Sequence, residues 1–154
     1  MATLTITLTE SLTLGDGSGT DRGSSNVQTL TVNEVDHRIM DVPTSWVDII
    51  KFDAANSAGT FKDASVKYLR ITNLDSSNFI SLRIRDNSKE YFVKVEAEGD
   101  AAGGCNSFIL GPTVMDAEST TGFGTDVSFV NIDQIQAKAD TAAVQVEYFV
   151  ASQD

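Results

Sequence analysis

The sequence is poor in the side chains that carry most covalent and metal chemistry. It has one cysteine, Cys105, and one histidine, His37. A lone cysteine excludes an intrachain disulfide, and one histidine with one cysteine excludes a zinc site of the usual nitrogen and sulfur kind. A Ser-His-Asp or Cys-His centre would have to use His37, within hydrogen-bond reach of its nucleophile. His37 lies mid-strand between Asp36 and Arg38, the setting of a surface histidine. Cys105 follows Gly103-Gly104 and has no adjacent charged residue to lower its pKa. Walker A, G-x-S-x-G and G-x-G-x-x-G patterns are absent, which removes the familiar phosphate cradles and the hydrolase elbow. No apolar run is long enough to cross a bilayer.

Positive charge is also scarce. Eleven Lys and Arg face 22 Asp and Glu, giving a net charge of -11 and a pI of about 4.3. This argues against nucleic acid, whose phosphates require released counterions and many cations, and against anionic membrane surfaces. With 22 acidic residues some carboxylates fall close together by chance, so composition alone gives no glycosidase pair. Residues Met1 to Thr9 have neither a basic region nor a continuous apolar run, so synthesis in a reducing cytosol without secretion is expected.

What the sequence has instead is alternation. Leu4, Ile6, Leu8, Leu12 and Leu14 fall on even positions and Thr3, Thr5, Thr7 and Thr9 on odd ones, which predicts a half-buried strand with a threonine outer face. Its long regular edge suits pairing with a neighbouring subunit. Residues 15–26 are glycine and small polar residues and read as a flexible loop. Asp16, Ser18 and Thr20 place oxygens at alternate positions, as in a calcium loop, but Val27 stands where an EF-hand needs its bidentate Glu. No metal or cofactor is expected, and whether this loop takes a cation stays open.

Strands follow near residues 27–32, 35–42 and 46–52. In the last of these, Trp46, Ile50 and Phe52 are read onto one face and Val47, Ile49 and Lys51 onto the other. Residues 66–86 are two alternating runs around a polar turn and read as a β-hairpin. Leu69 and Ile71 mark one run, and Ile80, Leu82 and Ile84 the other. Further strands are read at 90–97, with Tyr91, Val93 and Val95 on one face, and at 107–110. Residues 127–139 and 144–151 read as one more pair, with Val144, Val146, Tyr148 and Val150 on one face. About eight to ten short antiparallel strands and no amphipathic helix predict an all-β, two-sheet β-sandwich, jelly-roll-like, with residues 1–154 as one domain. Spacing does not fix strand order, so an immunoglobulin-like winding stays open.

Arg70, Arg83 and Arg85 concentrate positive charge on 66–86 of an acidic chain. They either pair across strands with the abundant acids or dock an acidic neighbour such as another copy. Trp46, the only tryptophan, is a core or subunit-contact residue on its area alone. Arg70, Arg83, Arg85 and Trp46 are therefore the candidate subunit or capsid contacts, and charge reversal at Arg83 is expected to impair assembly more than folding. No catalytic residue is singled out.

The segments Lys67–Leu82, Glu90–Val95 and Ile135–Tyr148 resemble small virion structural proteins of tailed bacteriophages, including capsid decoration or cement proteins of β-sandwich build. The resemblance spans roughly residues 60–151 and rests on strand-and-turn patterns. It implies a non-enzymatic virion protein, made in the host cytoplasm, without cofactor. It also implies a symmetric homo-oligomer, with a trimer favoured, and the major capsid protein or other virion proteins as partners, without nucleic acid or membrane. A tail-associated tube, adaptor or fibre component fits the same features. So does a jelly-roll carbohydrate-binding module, which would need Trp46, Tyr68, Tyr91, Phe123 and Tyr148 as an exposed platform.

Overall fold

The alternating segments become strands, and their partners set the architecture. A computed structural model of the chain describes residues 2–12, 22–55, 57, 59–86, 90–99, 105–110, 116–117 and 130–153. Along them run β1 (Ala2–Leu12), β2 (Arg22–Val32), β3 (Glu34–Val42), β4 (Val47–Asp53), β5 (Phe61–Lys62), β6 (Val66–Asn73) and β7 (Ile80–Arg85). Then come β8 (Glu90–Val95), β9 (Ser107–Leu110), β10 (Asp116–Ala117), β11 (Val130–Asn131), β12 (Gln134–Ala139) and β13 (Val144–Ser152). Asp63–Ser65 makes one 3-10 turn. A five-stranded sheet, β5-β4-β12-β7-β8, and a four-stranded sheet, β3-β13-β6-β9, form an all-β sandwich, and β1-β2 and β10-β11 are separate two-stranded ribbons. Among the described residues only β4 and β5 pair in parallel.

One core joins the inner faces. Ile80, Leu82 and Ile84 of β7 and Ile135, Ala137 and Ala139 of β12 meet Leu69 and Ile71 of β6 and Val144, Val146, Tyr148 and Val150 of β13. These are the alternate positions that the pattern assigns inward. Fully burying each large side chain contributes about 1.5–3 kcal/mol.

Two connections differ from expectation. Residues 66–86 are not a hairpin: β6 pairs with β13 and β9, whereas β7 pairs with β12 and β8. Likewise β12 and β13 lie in opposite sheets. In a hairpin both apolar faces would lie side by side on one sheet. Here each faces the other across the sandwich, about 10 Å away, and the connector spans the gap. Its corner is built by Asn73, whose Nδ2 donates to the carbonyls of Asn78 (2.8 Å) and Glu96 (3.1 Å) and whose Oδ1 accepts from Asp75 N (3.0 Å). The two corners also bond each other: Asp140 N donates to Phe79 O (3.1 Å) and Thr141 Oγ1 to Asn78 Oδ1 (2.6 Å).

The Asp75 carboxylate accepts the backbone N–H groups of Asn78 and Ser77, which hold it below the usual carboxylate range. A carboxylate lowered on folding stabilises above its unfolded pKa, and that contribution is lost as pH falls through the folded value. Asp75→Asn is therefore expected to flatten the fall of Tm below about pH 4, measured by thermal unfolding across an acid series.

Two bulges re-aim side chains. Ile135 pairs with Ile50 but Gln136 pairs with Asp48, leaving Ile49 extra. Val47 then packs on the core while Asp48 turns outward with Gln136, so the predicted grouping of Trp46 with Ile50 and Phe52 does not hold. Lys67 is the extra residue opposite Ala151 and Ser152, and it brings Val66 into the core with Leu69.

The threonine-rich strand is β1, paired with β2 in a ribbon of unbroken register. Leu4, Ile6 and Leu30 pack with Val32, Tyr68, Phe149 and Ala151 on the outer face of the four-stranded sheet, while Leu8 and Leu12 stay exposed. Half-burial thus holds only at the base. Residues 22–26, expected in a loop, belong to β2, because a ribbon needs backbone pairing and tolerates exposed Ser and Asn. Residues 13–21, with the calcium-like spacing, lie outside the described residues, as do 113–115 and 118–126. The strand read over 127–139 is interrupted at Ile132-Asp133, where Asp133 N donates to Arg85 O and its carbonyl accepts from Phe52 N.

Candidate functional site

The outer face of the five-stranded sheet collects three of the four predicted contact residues. Strand parity sends Arg83 and Arg85 of β7 outward, opposite Gln136 and Gln134 of β12. The bulge at Ile49 turns Trp46 and Asp48 to that same face. The Arg83 guanidinium lies 4.6 Å from the Trp46 ring centroid, and the Phe92 ring of β8 lies 5.9 Å from Trp46. Arg83 Nε donates to Gln136 Oε1 (2.7 Å) and Nη1 faces Glu90 at 3.8 Å, leaving the side chain only 20% exposed.

The network continues across β4. Gln136 Nε2 donates to Asp48 Oδ1 (2.7 Å), Gln134 Nε2 also reaches it, and Lys51 Nζ contacts the other oxygen at 2.8 Å. The Lys51 ammonium, followed by the Gln136 amide, holds the Asp48 carboxyl below its usual range. Lys94 sits 4.3 Å over the Phe79 ring and 2.7 Å from Glu96. Among the described residues, pairing register puts Lys51, Lys62, Arg83, Arg85, Lys94 and Lys138 on this face, against the carboxylates Asp48, Asp53, Glu90 and Glu96. The face has a net charge of +2 on a chain of -11. Phe92, 57% exposed, stands among these charges. A pre-organised basic face with an exposed aromatic on its edge strand β8 suits docking against an acidic surface.

Arg70 is elsewhere. It lies on the outer face of the four-stranded sheet, where its guanidinium meets Glu147, which His37 Nε2 also approaches at 3.3 Å. Arg70 is thus paired across strands, the plainer of the two readings of the arginines. The aromatic platform is not brought together either. Tyr68 is buried under the β1-β2 ribbon, and Tyr148 is buried on the inner side, donating to Asp36 Oδ2 (3.0 Å). Burial and the Asp36 carboxylate push the Tyr148 phenol up to about 12. Phe123 lies outside the described residues. Cys105 is exposed and its thiol donates to Ser107 O (3.2 Å). Among the described residues no group of three His, Cys, Asp or Glu side chains is placed to hold a metal ion.

Sequence reading missed Phe92, Lys94, Lys51 and Gln136. Parity holds the signal for the first two: they alternate with Tyr91, Val93 and Val95, which share the other face of β8. The close packing of Arg83 also modifies its expected role, because reversing its charge would break the Trp46 stack and the Gln136 bond and so cost folding as well as contact. Arg83→Met is expected to lower stability by about 1–2 kcal/mol and to increase acrylamide quenching of Trp46 fluorescence. Unchanged quenching would mean that the ring is not covered by the guanidinium.

Compared with protein-family models, curated proteins and solved structures, the chain matches none of them.

Proposed function

We propose that the chain is a non-enzymatic structural protein of a tailed-phage virion, and within that class a capsid decoration or cement protein bound over junctions between major capsid subunits. The observation that carries this reading is the basic sheet face of net +2, with Trp46 stacked on Arg83 and Phe92 exposed on its edge strand, on a chain of -11. Contact chemistry is gathered on an open sheet surface suited to an acidic macromolecular partner. The resemblance of residues 67–82, 90–95 and 135–148 to such virion proteins supports the same reading.

The strand order supports a jelly-roll winding within the sandwich. Omitting the short β5, β3-β13-β6-β9 lies against β4-β12-β7-β8, so that the chain alternates between sheets in nested pairs. In this reading the protein is made in the host cytoplasm, assembles as a symmetric oligomer with a trimer favoured, and attaches to the head through repeated weak contacts that sum over many sites. The test is co-sedimentation of the purified protein with capsids of the phage that encodes it. Saturable attachment to heads is expected. Attachment to tails alone would replace the cement role with a tail-associated one, and failure to attach to any virion part would end the reading.

A further inference from the structure

Among the described residues the outer half of the β1-β2 ribbon is an open arm, with Leu8 and Glu10 lining a groove toward Arg70 and Ile109 of the four-stranded sheet. Its base packs on Tyr68 and Phe149, but beyond Ile6 the apolar face continues to Leu8 and Leu12, 55% and 53% exposed. Among the described residues the ribbon has only two strands, and neither outer edge has a partner strand. A two-stranded ribbon is marginal in water without a third strand or a packed face. Proteins usually blunt such edges with Lys, Pro, a bulge or shortness. β1 has none of these: it runs 11 residues without Lys or Pro, and its register with β2 has no shift from Ala2↔Val32 to Leu12↔Arg22.

Charge points to the occupant. Residues 2–12 and 22–32 carry one acid, Glu10, and one base, Arg22, so the arm is neutral on a chain of -11. Two copies of so acidic a chain repel over most of their surfaces and meet here without that cost. Pattern points the same way. When a strand pairs antiparallel with itself about a two-fold axis, residues directly opposite share a face. A register centred on Thr7 sets Thr5 opposite Thr9 and Ile6 opposite Leu8 of the second copy. Threonine meets threonine at the centre of one face and Ile6 meets Leu8 on the other, both favourable cross-strand pairs, with Leu4 opposite Glu10 further out.

We infer that β1 is a self-pairing edge: it docks antiparallel on β1 of a second copy to form a continuous β2-β1-β1-β2 ribbon. The contact is isologous, so the assembled species contain even numbers of chains, two where the arm is the sole contact and twice the basic ring where another contact also forms. This deepens the self-association of the proposed reading and rests on that reading only for copies lying side by side.

The test is native mass spectrometry of the full chain beside Leu8→Lys/Leu12→Lys. The expected result is an even-numbered wild-type species whose mass the double variant halves while it keeps a cooperative unfolding transition, because both side chains are more than half exposed in the single chain. A second variant, Thr7→Cys with Cys105→Ser, is expected to form a covalent dimer on mild oxidation. Unchanged mass in the lysine variant, an odd-numbered or monomeric wild type, or no Thr7→Cys crosslink would overturn the pairing. Capsid attachment that persists alongside any of these results leaves the virion reading standing, whereas a monomer that binds no capsid ends both.

Discussion

Asn73→Ala is expected to destabilise the protein by about 3–5 kcal/mol, among the largest effects of any single polar substitution in the chain. Asn73 is 0% exposed and stands where β6 leaves one sheet for the other. Truncation removes three side-chain hydrogen bonds and strands the carbonyls of Asn78 and Glu96 and the N–H of Asp75 at a buried corner. Unmade bonds at buried groups cost about 1–3 kcal/mol each, reduced where the corner opens enough to admit water. Because this corner also bonds the β12-β13 connection through Phe79 and Asn78, both crossovers should loosen together. Urea unfolding followed by Trp46 fluorescence measures the loss. A change under about 1 kcal/mol would mean that the side chain does not hold the corner.

The second large effect concerns binding. Lys51→Glu/Lys94→Glu turns the net charge of the five-stranded sheet's outer face from +2 to -2 while leaving Arg83, Trp46 and Gln136 in place. Both lysines are about half exposed and make surface ion pairs, which contribute at most about 1 kcal/mol each. Folding should therefore change little. Affinity for an acidic capsid surface should fall at least about 100-fold, on the order of 3 kcal/mol, with a weaker salt dependence than the parent. Binding by the folded double variant at the parent's affinity would remove this face from the contact. The pair of lysines separates contact from folding more cleanly than Arg83, whose guanidinium is also a structural brace.

The contrast between these residues shows what was legible in the sequence. Period-2 alternation locates β7 and β13 and the grouping of Ile80, Leu82 and Ile84 and of Val144, Val146, Tyr148 and Val150 on one face each, and both faces are buried. Alternation is a property of one strand, however, and carries no information on which strand lies beside it. A hairpin and a crossover between sheets present the same two apolar faces, so alternation alone makes 66–86 a pair although its halves lie in opposite sheets. The six polar and apolar residues between β6 and β7, without a two-residue Asn-Gly turn, were the available hint. Bulges were hidden for a related reason. One extra residue at Ile49 or Lys67 reverses parity beyond it, and only the partner strand reveals the shift. That shift places Trp46 beside Arg83 and Phe92, so the centre of the candidate face follows from sheet pairing and not from local pattern. The arginines illustrate the same point: Arg83 and Arg85 share a face with Trp46, whereas Arg70, near them in sequence, belongs to the other sheet.

The most direct measurement of the central claim is a cryo-EM reconstruction of capsids from the encoding phage, with and without the purified protein. The account predicts added sandwich density over junctions between major capsid subunits, with the Trp46, Phe92 and Lys94 face turned toward an acidic capsid surface. Density confined to the tail, absence of added density at saturating protein, or a bound sandwich with that face turned to solvent would contradict it.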